Sequence, residues 1–107
     1  MPKYLFEVSY QPAAAKSLLE EGGTKRKNAA EEVIRSAGGK LEAFYFSFGA
    51  IDGFLIADFP NNISASAVAL NVNASGAVKL TTHVLVTPEE VDQIGKKKVQ
   101  YRAPGSK

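Results

Sequence analysis

Two apolar runs, Lys40–Phe48 and Ile51–Phe59, meet at Gly49-Ala50 in the middle of the chain, and that junction constrains the fold more than any other feature. Glycine first in a two-residue loop is the chemistry of a type II′ turn, which joins neighbouring antiparallel strands. The loop sets the register. Phe48 then faces Ile51, Phe46 faces Gly53 and Phe44 faces Leu55 on one side, with a phenylalanine ring filling the space over the glycine. Ser47–Asp52, Tyr45–Phe54 and Ala43–Ile56 share the other side.

The flanking segments carry helical and strand periods in turn. Lys3–Tyr10 alternates Tyr4, Phe6, Val8 and Tyr10 with Lys3, Leu5, Glu7 and Ser9, which predicts a strand. Pro12 suits the first turn of a helix running to Glu21, and Gly22-Gly23 breaks it. A second helical stretch from Thr24 places Ala29, Ala30, Val33, Ile34 and Ala37 inward, pairs Glu31 with Arg35 outside, and stops at Gly38-Gly39. Beyond the hairpin, Asn62 is the expected cap of a helix ending near Ser75, with Ile63, Ala67, Leu70 and Ala74 at helical spacing. A strand over Val78–Val86 follows. Thr87-Pro88-Glu89-Glu90 then reads as a capping box with proline at the first helical position. That last helix is expected to turn Val91 and Ile94 inward and to finish on Lys96-Lys97-Lys98.

The order is strand, helix, strand, strand, helix, strand, with a terminal helix. One hairpin and two helical crossovers make this an α+β chain of the ferredoxin-like, split βαββαβ type. Right-handed crossovers order its antiparallel strands fourth, first, third, second, with the helices on one face. Residues 1–107 are read as one such domain, with a core over about 3–98 and an extended tail at 99–107.

Composition narrows the functional classes. With 45% hydrophobic and 22% charged residues the chain suits an ordinary globular domain. Cysteine is absent, which excludes disulfides, thiolate metal sites and cysteine nucleophiles. A net charge of +2 is too weak to argue for nucleic acid, and the short basic clusters lack spare aromatics for base stacking. No segment is long and apolar enough to span a membrane, and Met1-Pro2-Lys3-Tyr4 does not open a secretion signal, so a cytoplasmic location is expected.

Both faces of the expected sheet are apolar. Tyr45, Phe54 and Ile56 stand on the face away from the helices, with Leu85 on the last strand. An aromatic sheet face left to water marks a partner surface, and a second copy pressing on it gives a homodimer or a higher homo-oligomer. From Phe59 to Val78 no residue carries a formal charge, and the outer face of that helix, with Ser66, Asn71 and Asn73, is a second candidate contact.

The chain resembles the GYD domain family of small bacterial and archaeal proteins. The likeness is carried by Met1-Pro2-Lys3-Tyr4-Leu5-Phe6, Gly38-Gly39-Lys40-Leu41, Phe44-Tyr45-Phe46 and Gly49 through Asp52. It continues in Ala74-Ser75-Gly76-Ala77-Val78, Thr87-Pro88-Glu89-Glu90 and Tyr101-Arg102-Ala103-Pro104-Gly105. Gly49 and Asp52 match the family's name motif, and Ile51 stands where the tyrosine is expected. The resemblance implies a dimeric α/β-barrel assembly of two ferredoxin-like subunits. It implies no particular activity.

Two clusters are candidates for chemistry. His83 is the only histidine, so one chain cannot build a multi-histidine metal site, and no metal or cofactor is expected. Glu7 lies on the strand beside it, and Tyr45 and Asp52 share the same open face, so a carboxylate–imidazole pair is a candidate general base. The other cluster is Thr24, Lys25, Arg26 and Lys27, at a helix start where Gly22-Gly23 offer free amides to an anion. The functional expectation is binding of a small anionic or aromatic ligand. A cofactor-independent oxygenase or isomerase is the alternative.

Overall fold

The computed structural model describes residues 1–105, so of the expected tail 99–107 the last two residues lie outside the described ones. Strand β1 (Lys3–Tyr10) obeys its alternation: Tyr4, Phe6 and Val8 are buried, and the residues between them are half-buried on the other face. β1 pairs antiparallel with β3 (Gly53–Asp58) on one side and β4 (Val78–Leu85) on the other; β2 (Lys40–Phe46) pairs with β3. The sheet order β2-β3-β1-β4 is the one expected from two crossovers around a hairpin.

Hairpin register holds residue for residue, with Phe46 opposite Gly53, Tyr45 opposite Phe54 and Phe44 opposite Leu55. The turn differs. The strands stop at Phe46 and Gly53, the loop is closed by Ser47 N–H donating to Asp52 O at 2.8 Å, and Gly49 does not take the positive φ that a type II′ turn requires. The cause is a pull from β1. Asp52 N–H donates to Val8 O at 2.8 Å, and the Asp52 carboxylate accepts from Tyr10 N–H at 2.8 Å. Tied to the end of β1, Asp52 opens the loop and leaves Phe48 fully exposed. The ring nearest the missing Gly53 side chain is that of Phe44, not Phe46, whose own ring rests on Gly23.

Helices α1 (Pro12–Glu21) and α2 (Gly23–Ser36) meet at Gly22, whose φ of 92° is available to glycine at little cost. α2 buries Ile34 on the sheet, with Ala30 and Ala37 packed against the core, but Ala29 and Val33, expected inward, are exposed and line a cleft. The chain then returns past Gly39, where a Cβ would lie 2.6 Å from the Phe59 ring and 2.7 Å from Asp58 O. Phe59 is fully buried and meets Tyr4 and Phe6 edge to face, at 5.7 and 6.0 Å between centroids.

Helix α3 (Asn62–Ala74) is rolled away from the expected face. Ala65 and Val68 are buried, with Ala69 and Val72 packed against the core, whereas Ile63, Ala67, Leu70 and Ala74 face outward. An uncharged helix presents more than one apolar stripe, so the pattern does not choose between them. Hydrogen bonds choose. Asn62 accepts from the Tyr4 hydroxyl, and three turns later the Asn73 amide donates to Leu80 O and accepts from Leu80 N–H. These asparagines point to the sheet and carry the stripe between them inward. The cap is one residue earlier than expected: Asn61 Oδ1 accepts from Ser64 N–H at 3.0 Å. Asn73 also occupies the free edge of β4, which blunts it against further pairing.

Helix α4 (Pro88–Lys96) opens on the expected capping box, Glu90 N–H to Thr87 Oγ1 at 3.0 Å and Thr87 N–H to Glu90 Oε1 at 2.9 Å. Val91 and Ile94 do not turn inward; no residue of α4 is buried. The radius of gyration is 17.1 Å, against about 13 Å for a compact chain of this length, and the long axis is 59 Å. α4 and the segment after it are held out from the body. No helix among the described residues is long and apolar enough to cross a membrane.

Candidate functional site

The sheet brings Glu7 and His83 together on its open face. Leu5 faces His83 and Glu7 faces Thr81, so the two side chains are diagonal neighbours, with Oε2 and Nε2 3.0 Å apart. Asp52 and Tyr45 do not join them. Asp52 is engaged with the end of β1, and Tyr45 stands on the far edge strand, 72% exposed and about 14 Å away across three strand spacings. Lys3 completes the open face's polar pattern, donating to Glu42 at 2.9 Å and Asp58 at 3.0 Å. Those two hydrogen bonds hold the Lys3 ammonium above its ordinary pKa. The Glu7–His83 pair lies in the open, and nothing encloses it.

The basic cluster behaves differently. Thr24, Lys25 and Lys27 are exposed, while Arg26 is half-buried. Its direction follows from helical phase: Arg26, Ala30, Val33, Ile34 and Ala37 fall at the spacing of one α2 stripe. The guanidinium carbon lies 6.0 Å from the Tyr10 ring centroid, within cation–π range. Its Nε is buried with no hydrogen-bond partner among the described residues, a state that costs about 1–3 kcal/mol for a buried donor. Gly22 precedes the helix without any side-chain cap.

Beneath Arg26 is a half-open cavity of about 130 Å³. Phe6, Val8 and Leu55 form its floor on the sheet, Ala30 and Val33 its α2 wall, and Val68 and Val72 its α3 wall. Arg26 and Tyr10 supply its polar groups. Burial pushes the Tyr10 phenol above its ordinary pKa; the nearby Arg26 charge opposes the rise and Asp52 adds to it. The phenol is therefore a neutral O–H donor throughout the physiological range. Cavities of this size in apolar cores, roughly 150 Å³, accept one benzene ring.

Neither His83, Glu7, Asp52 nor Tyr45 lines this cavity. Of the residues singled out in the sequence, only Arg26 does. Tyr10 was legible only as the last residue of the β1 alternation, and Arg26 only as one of the four residues Thr24, Lys25, Arg26 and Lys27 of the anion candidate. The phase of Arg26 with Ala30 and Ile34 was the signal that separates it from Lys25 and Lys27. Ser66 and Asn71 lie on exposed α3, and the Asn71 amide donates to Ala67 O at 2.7 Å. Among the described residues no group of three or more His, Cys, Asp or Glu side chains is placed to hold a metal.

No curated protein and no solved structure matches the chain. Among protein families the GYD domain matches residues 4–94, and the chain belongs to that family.

Proposed function

We propose that this protein binds a small apolar or aromatic ligand in the cavity between α2, α3 and the sheet, and does so as a homodimer of ferredoxin-like subunits. The carrying observation is the cavity itself, open at one side, floored by the core residues Phe6 and Leu55 and bordered by Arg26. Core side chains ordinarily close such gaps, because interiors pack to near-crystalline density. Binding is favoured over a cofactor-independent oxygenase or isomerase because the cavity's walls hold no carboxylate or imidazole. Titrating the protein with benzene should shift the amide resonances of Ala30, Val33, Val68 and Val72. Unchanged resonances there at saturating benzene sink the reading.

The open face supports the pairing. Leu5, Phe54, Ile56 and Leu85 are only half-buried there and Tyr45 is exposed. Four strands, the longest of eight residues, make a face of roughly 500 Å². A stable interface takes about 800 Å² per partner. The exposed Val91 and Ile94 of α4 are further apolar surface for a second copy to cover. Sedimentation at micromolar concentration should give a dimer that Tyr45→Asp dissociates; a monomeric wild-type protein removes the pairing.

A further inference from the structure

Among the described residues Arg26 is the one cation that lines the cavity, and what surrounds it specifies a ligand. It shares the α2 stripe with Ala30 and Val33, so its stem and its buried Nε belong to the same apolar wall. It takes part in none of the ion pairs formed among the described residues, which join Lys3 to Glu42 and Asp58, Arg35 to Glu31, and His83 to Glu7. Asp52, whose charge is felt by the Tyr10 phenol, already accepts from the Tyr10 backbone. A guanidinium presents N–H donors in a planar fork that suits a carboxylate, and with Nε shut inside the wall it is the terminal Nη groups that would take the carboxylate, Nε–H reporting on the group.

We propose that the cavity takes a small monocarboxylic acid of benzoate size, its apolar body against Phe6, Leu55 and Val68 and its carboxylate on Arg26. This rests on the binding reading above and adds the charged group that the ligand must carry. Charge balance argues for a monoanion: Lys25 and Lys27 are exposed on other sides of α2, so a phosphate dianion would face one cation only. Volume limits the body, since about 130 Å³ suits one six-membered ring or a short branched chain and disfavours a fused bicycle, whose second ring would stand in the open mouth. Tyr10, neutral and lining the same cavity, offers a second donor beside the guanidinium without adding like charge.

The test uses the full chain with benzoate, benzene, 2-naphthoate and inorganic phosphate as probes, read by amide and arginine Nε–H resonances. Benzoate is expected to shift Arg26 Nε–H together with Ala30 and Val68, and 2-naphthoate to leave them in place. Arg26→Met should weaken benzoate at least tenfold while benzene binding is retained, and Arg26→Lys should recover only part of the loss. The Nε–H shift in the wild-type protein needs no variant, so misfolding of Arg26→Met leaves a decisive measurement. Benzene binding without benzoate binding, or equal benzoate affinity in Arg26→Met, overturns the carboxylate proposal and leaves the cavity reading intact. Phosphate shifting Arg26 where benzoate does not also overturns it. Failure of both benzene and benzoate overturns the cavity reading itself.

Discussion

On the open face of the sheet Lys3 is held between Glu42 and Asp58, and Glu7 meets His83; on the covered face Arg26 has no acidic partner among the described residues. The paired groups are the ones that need pairing least. Their side chains are 19–47% exposed, and ion pairs in contact with water contribute little net energy. Arg26 sits beside apolar walls, where a charge without an acceptor is costly. A well-formed pair near water therefore says little about function, while an unmatched donor at the rim of a cavity says where a ligand belongs. The same strand serves both environments, because β1 sends Tyr4, Phe6 and Val8 to one side and Leu5, Glu7 and Ser9 to the other.

The largest effect expected from this contrast is on β1 itself. Phe6→Ala removes a buried ring that meets Phe59 edge to face, and should cost about 3–5 kcal/mol in urea unfolding. Leu5→Ala, one residue away and half-buried on the open face, should cost no more than about 1–2 kcal/mol in the monomer. Equal losses at the two positions would mean that the faces are not packed differently. Gly39→Ala comes next, because its Cβ would strike the fully buried Phe59 ring and a backbone oxygen that cannot yield. The expected cost is about 1–3 kcal/mol, read from the same urea midpoints.

Where the chain was legible, the information was local and periodic. The hairpin register came out of the turn position at Gly49-Ala50, and the Thr87–Glu90 capping box out of four adjacent residues. Where it was not, a distant partner decided. Asp52 widened the hairpin loop because Val8 and Tyr10 hold it, and no pattern within the hairpin records that. Asn62 and Asn73 set the roll of α3 through Tyr4 and Leu80, so a residue read as a cap and one read as outer surface anchor the helix to the sheet instead. The candidate site divided in the same way. Diagonal placement of Glu7 and His83 follows from strand order, whereas the cavity is a gap between elements and leaves no mark in any one of them.

pH separates the faces further. In the folded chain burial holds the Tyr10 phenol protonated above its ordinary pKa, while in the unfolded chain it ionises near about 10. Above that value the unfolded state gives up its proton first, so stability falls as pH rises towards the folded pKa. Lys3 acts in the same direction, since its ammonium is also favoured by folding and is lost at alkaline pH. The comparison that isolates the covered face is therefore wild type against Tyr10→Phe. The urea midpoint of the wild-type protein should fall more between pH 9 and pH 11, and the absorbance titration of the variant should lack one phenol that ionises above the ordinary value. Identical pH slopes would show that Tyr10 is not held by its surroundings.

The smallest effect belongs to the most visible pair. Glu7→Gln removes the charge opposite His83 but keeps the side chain's shape, and with both groups partly in water the monomer should lose about 0.2–1 kcal/mol at most. Benzoate affinity should stay within twofold of the wild type, because neither Glu7 nor His83 lines the cavity. A loss of binding in Glu7→Gln with the fold intact would break the division between the faces, since the open face would then be part of the ligand site. Unchanged binding together with the small stability loss places Glu7 and His83 with Lys3, Glu42 and Asp58, as polar groups that satisfy one another on a face turned away from the ligand.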